Sequence, residues 1–175
     1  IANGYLSGSG TILTVHTADW EHVVSHLKLA IGTVSHKKDN VTAISVLNLR
    51  GAIRHLKLEV KSRDKFIPRV YQTTSPADRV ALLQGLMDGD GSVSATGNKV
   101  MYCTTSWQLA NDVQELVEGL GGISSQRWYD RSAEEKPAEC QVRMRLPAWV
   151  QPFLSPRKSA RYKPGDALWS KSAPC

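Results

Sequence analysis

Asp88 and Asp90 stand one residue apart at the end of the apolar run LLQGLMDGDG, Leu82 to Gly91. Carboxylates spaced in this way are hard oxygen ligands for a divalent cation, and such a cation can polarise a phosphate and acidify an attacking water. Their position sharpens the question. The last turn of a helix exposes unpaired carbonyls and carries the negative end of the macrodipole, so Lys or Arg belongs there. An acid so placed costs roughly 0.3–1 kcal/mol, and a cation held at the tip would offset that cost. A capped core helix ending in a Gly-rich turn is the plainer reading of the same residues. An EF-hand calcium loop fails, because counting from Asp88 puts Val93 at the sixth position and Lys99 at the twelfth.

The elements that must position these acids are legible nearby. Ser75 can cap a helix, Pro76 suits its first position, and Asp78 completes an S-x-x-D box. Val80, Leu83 and Met87 form the apolar stripe, and Gly91 is expected to stop the helix in a left-handed conformation. Ser92–Ser94 and Lys99–Thr105 read as a hairpin around ATGN. A second helix follows from Trp107 to Glu118, with Leu109, Val113, Leu116 and Leu120 on one face. Ile123–Tyr129 and Cys140–Leu146 then read as another hairpin.

The same order recurs earlier in the chain. GYLSGSGTI resembles GLMDGDGSV, and a shift of 89 positions carries Trp20, Val24, Leu27, Ile31 and Gly32 onto Leu109, Val113, Leu116, Leu120 and Gly121. The strands Thr33–Lys37 and Val41–Leu47 follow, then a helix over Leu49–Leu58. This alignment predicts a helix ending at residue 10, a stunted or missing first hairpin, and a chain trimmed at its N-terminus. Gly4 and Gly8 repeat the spacing of Gly85 and Gly89, so two such helices are expected to meet through their glycines.

Composition bounds the rest. The 175 residues carry 41% hydrophobic residues and a net charge of +6, which suits a globular chain with a polyanionic partner. No apolar run is long enough for a membrane span. The odd set Cys103, Cys140 and Cys175 has no CxxC spacing, which argues against a disulfide framework or zinc knuckle and for a reducing, intracellular setting.

LQGLMDGDG (83–91) resembles the signature of LAGLIDADG homing endonucleases. KSRDKFIPRVY (61–71) resembles that family's K-x-IP segment, and PFLSPRKSARY (152–162) the closing segment of its intein-borne, single-chain members. The resemblance implies an α+β fold: a duplicated αββαββ unit with a pseudo-twofold axis and two antiparallel saddle-shaped sheets. Its repeats would span 1–74, with a degenerate motif at 2–10, and 75–175. It implies Mg²⁺-dependent cleavage of a long asymmetric site in double-stranded DNA by a monomer that is an internal pseudo-dimer, with a host splicing domain as one further partner. Carried over by position, Asp90 is the metal-binding acid, Gly89 a carbonyl donor, and Lys65 and Lys158 the basic helpers. Asp88 falls at a more variable position.

One departure matters. On this alignment the first motif has Ser9 where an acid is expected, and no Asp or Glu precedes Asp19. Serine is a poor Mg²⁺ ligand beside carboxylate, so cleavage is expected to be lost or weakened. DNA binding need not share that loss. CQVRMRL alternates Gln141, Arg143 and Arg145 with Val142, Met144 and Leu146, so one face is core and the other presents guanine-seeking side chains. Arg127 and the HKKDN turn, with Lys37 and Lys38, extend the basic surface. Trp128 and Trp149 are expected in the core. Two functions stay open: an endonuclease excised from an intein, and a DNA-binding module, maturase- or transcription-factor-like, without catalysis. A chain from Ile1 to SKSAPC shows none of the terminal residues that self-splicing needs.

Overall fold

The computed structural model describes residues 4–7 and 10–164. The chain runs through β1 (Gly4–Ser7), β2 (Gly10–His16), α1 (Trp20–His26), β3 (Ile31–His36), β4 (Val41–Val46), α2 (Arg50–His55), α3 (Arg69–Gln72), α4 (Pro76–Asp90), β5 (Gly91–Val93), β6 (Val100–Thr104), α5 (Trp107–Gly119), β7 (Ile123–Tyr129), β8 (Glu139–Arg145) and α6 (Pro156–Ser159). The strands form two antiparallel sheets of four, ordered β1-β2-β4-β3 and β5-β6-β8-β7. The identical order is the duplication expected from the sequence, and the fold is α+β. No described helix is long and apolar enough to cross a membrane.

Local chemistry explains the two long helices. At the start of α4, Ser75 Oγ accepts from the Asp78 N–H at 3.2 Å and donates to the Asp78 carboxylate at 2.7 Å. Leu83, Leu86 and Met87 are its buried face. Ser106 caps α5 by accepting from Leu109 N–H at 3.1 Å. That helix ends in a Schellman turn: Gly122 N–H donates to Val117 O, Gly121 N–H donates to Glu118 O, and Gly121 takes φ +81°. The β3–β4 turn places Asp39 and Asn40 at φ 62° and 59°, a left-handed conformation that these two residue types tolerate.

The principal core belongs to the second repeat. Leu83 and Met87 of α4 and Leu109, Val113 and Val117 of α5 pack on Tyr102, Val142 and Met144, with Ile67 before α4 and Val150 and Phe153 after β8. The first sheet contributes a smaller buried set, Ala43, Ile44 and Val46.

Several expectations need correction. Gly4–Ser7 is a strand, so the stretch 2–10 is not a helix matching 83–91. Gly4 pairs with Leu13 as Gly91 pairs with Tyr102, which makes Gly4 the counterpart of Gly91. The first hairpin, β1–β2, is therefore present, and Gly4 lies in a strand rather than in a helix seam. Ser9 and Gly8 lie outside the described residues. Gly91 ends α4 at φ −87° rather than left-handed. Its role is packing, because an added Cβ would sit 2.5 Å from Met87 O. Finally, Trp128 and Trp149 are exposed, the latter at 60%.

Candidate catalytic centre and nucleic-acid face

The question raised by a helix ending on carboxylates is answered at the tip of α4. Lys158 Nζ donates to the carbonyls of Asp88 at 2.7 Å, Gly91 at 2.8 Å and Met87 at 2.9 Å, and lies 3.5 Å from Gly89 O. The cation that the last turn requires is thus a lysine of the C-terminal segment. Burial pulls the Lys158 ammonium below the usual lysine range, partly opposed by the Asp88 charge. The Asp88 carboxylate accepts from Ser155 N–H at 3.0 Å and Leu154 N–H at 3.2 Å. Burial pushes its carboxyl up despite those bonds.

The same segment reaches the first repeat. Asp19, 6% exposed, accepts from Ser155 Oγ and Arg157 Nη2, both at 2.8 Å. Burial pushes the Asp19 carboxyl up, and the bonds from Arg157 and Ser155 outweigh it, so the group sits below the ordinary carboxylate range. No sequence pattern announces this contact between residues more than a hundred positions apart.

Asp90 faces a different space. A cavity of about 290 Å³ is lined by Ser62, Lys65, Asp90, Cys103, Thr104 and Glu139, among others. Lys65 and Asp90 are therefore brought together. Lys158 and Gly89 are not on this cavity: they line a larger one, about 640 Å³, with Asp88 and Gly85. Two hydrogen bonds fix the segment carrying Lys65 on α5. Ser106 Oγ donates to Lys65 O at 2.6 Å, and Ile67 N–H donates to the Asp112 carboxylate at 2.7 Å.

Glu139 was not anticipated from the sequence. It is the first residue of β8 and pairs with Arg131 at 2.9 Å. With Asp90 it gives the cavity two carboxylates. Burial pushes the Cys103 thiol up, and the charges of Glu139 and Asp90 push the same way. Among the described residues no cluster of three or more His, Cys, Asp or Glu could hold a metal ion. A pair of carboxylates nevertheless fits Mg²⁺, which keeps most of its waters and takes one or two protein carboxylates beside substrate phosphate oxygens.

The residues expected to read DNA share one sheet face. Arg127 pairs with Gln141, Ser125 with Arg143 and Ile123 with Arg145, while Cys103 lies across from Gln141 and Met101 from Arg143. Val142 and Met144 point the other way into the core. Arg143 Nη2 donates to Tyr129 Oη at 3.1 Å, and the Arg127 guanidinium lies 5.1 Å from the Tyr129 ring centroid. Cys103 belongs both to this face and to the Asp90 cavity, so the two are continuous. Lys37 and Lys38 are exposed at the β3–β4 turn of the other sheet.

Comparison with known proteins bears on the fold. Residues 77–145 match the family model of the LAGLIDADG-like domain. Over 58 residues the chain is 45% identical to the replicative DNA helicase DnaB of Mycobacterium intracellulare, covering 33% of this chain and 10% of that protein. Over 105 residues it is 35% identical to a DNA gyrase subunit of Mycobacterium gordonae, covering 58% of this chain and 18% of that protein. The chain thus spans a tenth to a fifth of the length of these relatives. A glycine-to-serine variant of I-DmoI, solved in complex with its target DNA in the presence of Mg, superposes with TM-score 0.52 at 14% identity, covering 80% and 78% of the two chains. I-DmoI in complex with DNA and Ca gives 0.50 at 12%, covering 79% and 72%. At these identities the likeness is one of fold. Residues 77–145 are thus similar to the LAGLIDADG-like domain, and the chain takes the fold of the I-DmoI homing-endonuclease structures.

Proposed function

We propose that this chain is a homing-endonuclease domain that binds a long asymmetric duplex DNA site and cleaves it weakly, with one complete catalytic half. The observation that carries this reading is the cavity shared by Asp90 and Lys65, continuous through Cys103 with a sheet face bearing Arg127, Gln141, Arg143 and Arg145. We read the chain as two repeats, 1–74 and 75–175. Matches to two unrelated enzymes, each over a small part of its length, suit a module carried inside host proteins, as an intein endonuclease is.

Asp90 and Glu139 would hold the divalent cation, Mg²⁺ in this reading. When bound, that ion supplies a Lewis acid for the phosphate and acidifies the attacking water. Lys65 brings positive charge to the phosphate as negative charge accumulates in the transition state. Lys158 acts at one remove, holding the carbonyls of Asp88 and Gly91 on either side of Asp90. Arg127, Arg143, Arg145 and Gln141 read base edges in the major groove, and Lys37 and Lys38 contact backbone phosphates.

The strand register supports a revision of the degenerate position. With Gly4 in the place of Gly91, the counterpart of Asp90 is Asn3 rather than Ser9. Neither carries a carboxylate, so on either alignment this reading keeps one metal-binding acid missing. A neutral counterpart also favours the second reading, a DNA-binding module without catalysis.

The experiment is cleavage of a duplex recovered by binding selection, with Mg²⁺, comparing the chain with Asp90→Asn, Asn3→Asp and Ser9→Asp. Slow cutting or nicking that Asp90→Asn abolishes and Asn3→Asp accelerates supports the endonuclease, and Ser9→Asp is expected to change nothing. Tight binding with no cutting by any variant supports the inactive module. No binding to any duplex overturns both.

A further inference from the structure

The two sheets share one strand order, so their outward faces can be compared position by position. Val142 pairs with Tyr102 as Ile44 pairs with Leu13, which fixes the equivalence. Gln141 then corresponds to Ala43, which is itself buried, Arg143 to Ser45, Cys103 to Thr14 and Met101 to Ile12. Across the neighbouring strand, Arg127 faces Gln141 as Ser35 faces Ala43. Two positions further along β8, Arg145 corresponds to Leu47, which continues the ladder by donating its N–H to Ala30 O at 2.8 Å.

The three guanidiniums of the second face are thus replaced on the first by two hydroxyls and an isobutyl group. Leu47 is 41% exposed, an apolar side chain left in the open. A Cβ on Gly32 would lie 3.2 Å from Leu47 and 3.3 Å from Ser45 Oγ, so both side chains border the space that this glycine leaves clear. On the second face two of the arginines are held ready: Arg143 by Tyr129 Oη, and Arg127 over the Tyr129 ring. Pre-ordering of this kind lowers the entropy cost of binding.

Resting on the DNA-binding reading above, we propose that the duplex target is asymmetric in base composition in a defined sense. The half under the second sheet carries guanines read by Arg127, Arg143 and Arg145. The half under the first sheet is A·T-rich, with thymine methyl groups against Ile12 and Leu47. Guanidinium groups pair bidentately with guanine O6 and N7, whereas aliphatic side chains offer only a surface for the thymine methyl. A sheet face without charge among its central side chains cannot select guanine in the same way.

The test is binding selection by this chain from a randomised duplex library at fixed salt, followed by affinity measurement on the recovered site. Guanine enrichment is expected in one half only. Arg143→Ala should cost about tenfold at a single base pair of that half and relax its preference. Ser45→Arg should create a guanine preference at the symmetry-related position of the other half. Replacing thymine by deoxyuridine should weaken binding roughly threefold per contacted position in the A·T-rich half, a methyl group's worth of buried surface, and leave the other half unchanged. Equal guanine enrichment in both halves, or indifference to deoxyuridine, overturns the inference while leaving DNA binding intact. Absence of any duplex binding overturns both.

Discussion

Lys158 Nζ donates to the Asp88 carbonyl at 2.7 Å, while the Asp88 carboxylate accepts the Ser155 N–H at 3.0 Å. Helix end and C-terminal segment are therefore laced to each other in both directions, main chain to side chain and side chain to main chain. Two residues on, Asp90 lines the cavity it shares with Lys65.

Removing the lysine should loosen that lacing. Lys158→Met keeps much of the aliphatic stem and deletes the ammonium, leaving carbonyls of the last turn without a donor. Hydrogen bonds to a charged group are worth about 1.5–3 kcal/mol, so Tm should fall by roughly 4–10 °C. Lys158→Arg should rescue little, because a planar fork does not reproduce three converging bonds from one nitrogen. Unchanged melting in Lys158→Met would show that the ammonium does not support the helix end.

The carboxylates that meet the C-terminal segment respond to acid in opposite senses. Asp19 has a folded pKa below its ordinary value of 3.8, so its contribution to stability is present above that value and disappears as pH falls through the folded pKa. Asp88 has a folded pKa above 3.8, so its contribution is present below that value and is lost as pH rises through the folded pKa. In denaturant titrations from pH 6 to pH 3, the stability difference between the chain and Asp19→Asn should shrink toward acid. The difference for Asp88→Asn should move the other way. Parallel curves at all pH values would contradict these assignments.

Ser106 joins the cap of α5 to the placement of Lys65, since one hydroxyl accepts from Leu109 N–H and donates to Lys65 O. Ser106→Ala should cost about 1–2 kcal/mol through the lost cap. It should also slow Mg²⁺-dependent cleavage while leaving DNA affinity within about twofold, because the outward face of the second sheet is untouched. A proportional loss of affinity and rate would assign Ser106 to folding alone.

The sequence made some of this legible and hid the rest for identifiable reasons. Helices α4 and α5 were readable because cap chemistry and apolar spacing agree along the length of each. Strand β8 was readable because its residues alternate strictly. The stretch from Gly4 to Ser7 was misplaced because its glycine spacing imitates that of the α4 tip, and so short a strand is too brief for its period to show. The pairing of Gly4 with Leu13 decides what spacing could not. Resemblance pointed to Lys158 as a basic residue near the site, but its bonds to three carbonyls depend on a segment that returns to α4 from far along the chain. Glu139 gave no signal because a lone acid ahead of the alternating run reads as a solvated strand end, and its place beside Asp90 depends on tertiary structure.

Two glycines at α4 offer the last prediction, with opposite signs. At Gly91 an added methyl would meet Met87 O at 2.5 Å and Met87 Cα at 2.6 Å, backbone atoms of the preceding turn that cannot move aside. Gly91→Ala should therefore destabilise the chain by about 1–3 kcal/mol and displace Asp90 from the cavity, lowering cleavage with it. At Gly85 the added methyl meets nothing within 4 Å. Gly85→Ala should gain up to about 1 kcal/mol from helix propensity, with no change in the secondary structure seen by circular dichroism. Denaturant unfolding of both variants checks the pair. Destabilisation by Gly85→Ala would mean that this face of α4 is covered in solution, and tolerance of Gly91→Ala would mean that the junction between helix and strand is looser than its geometry indicates.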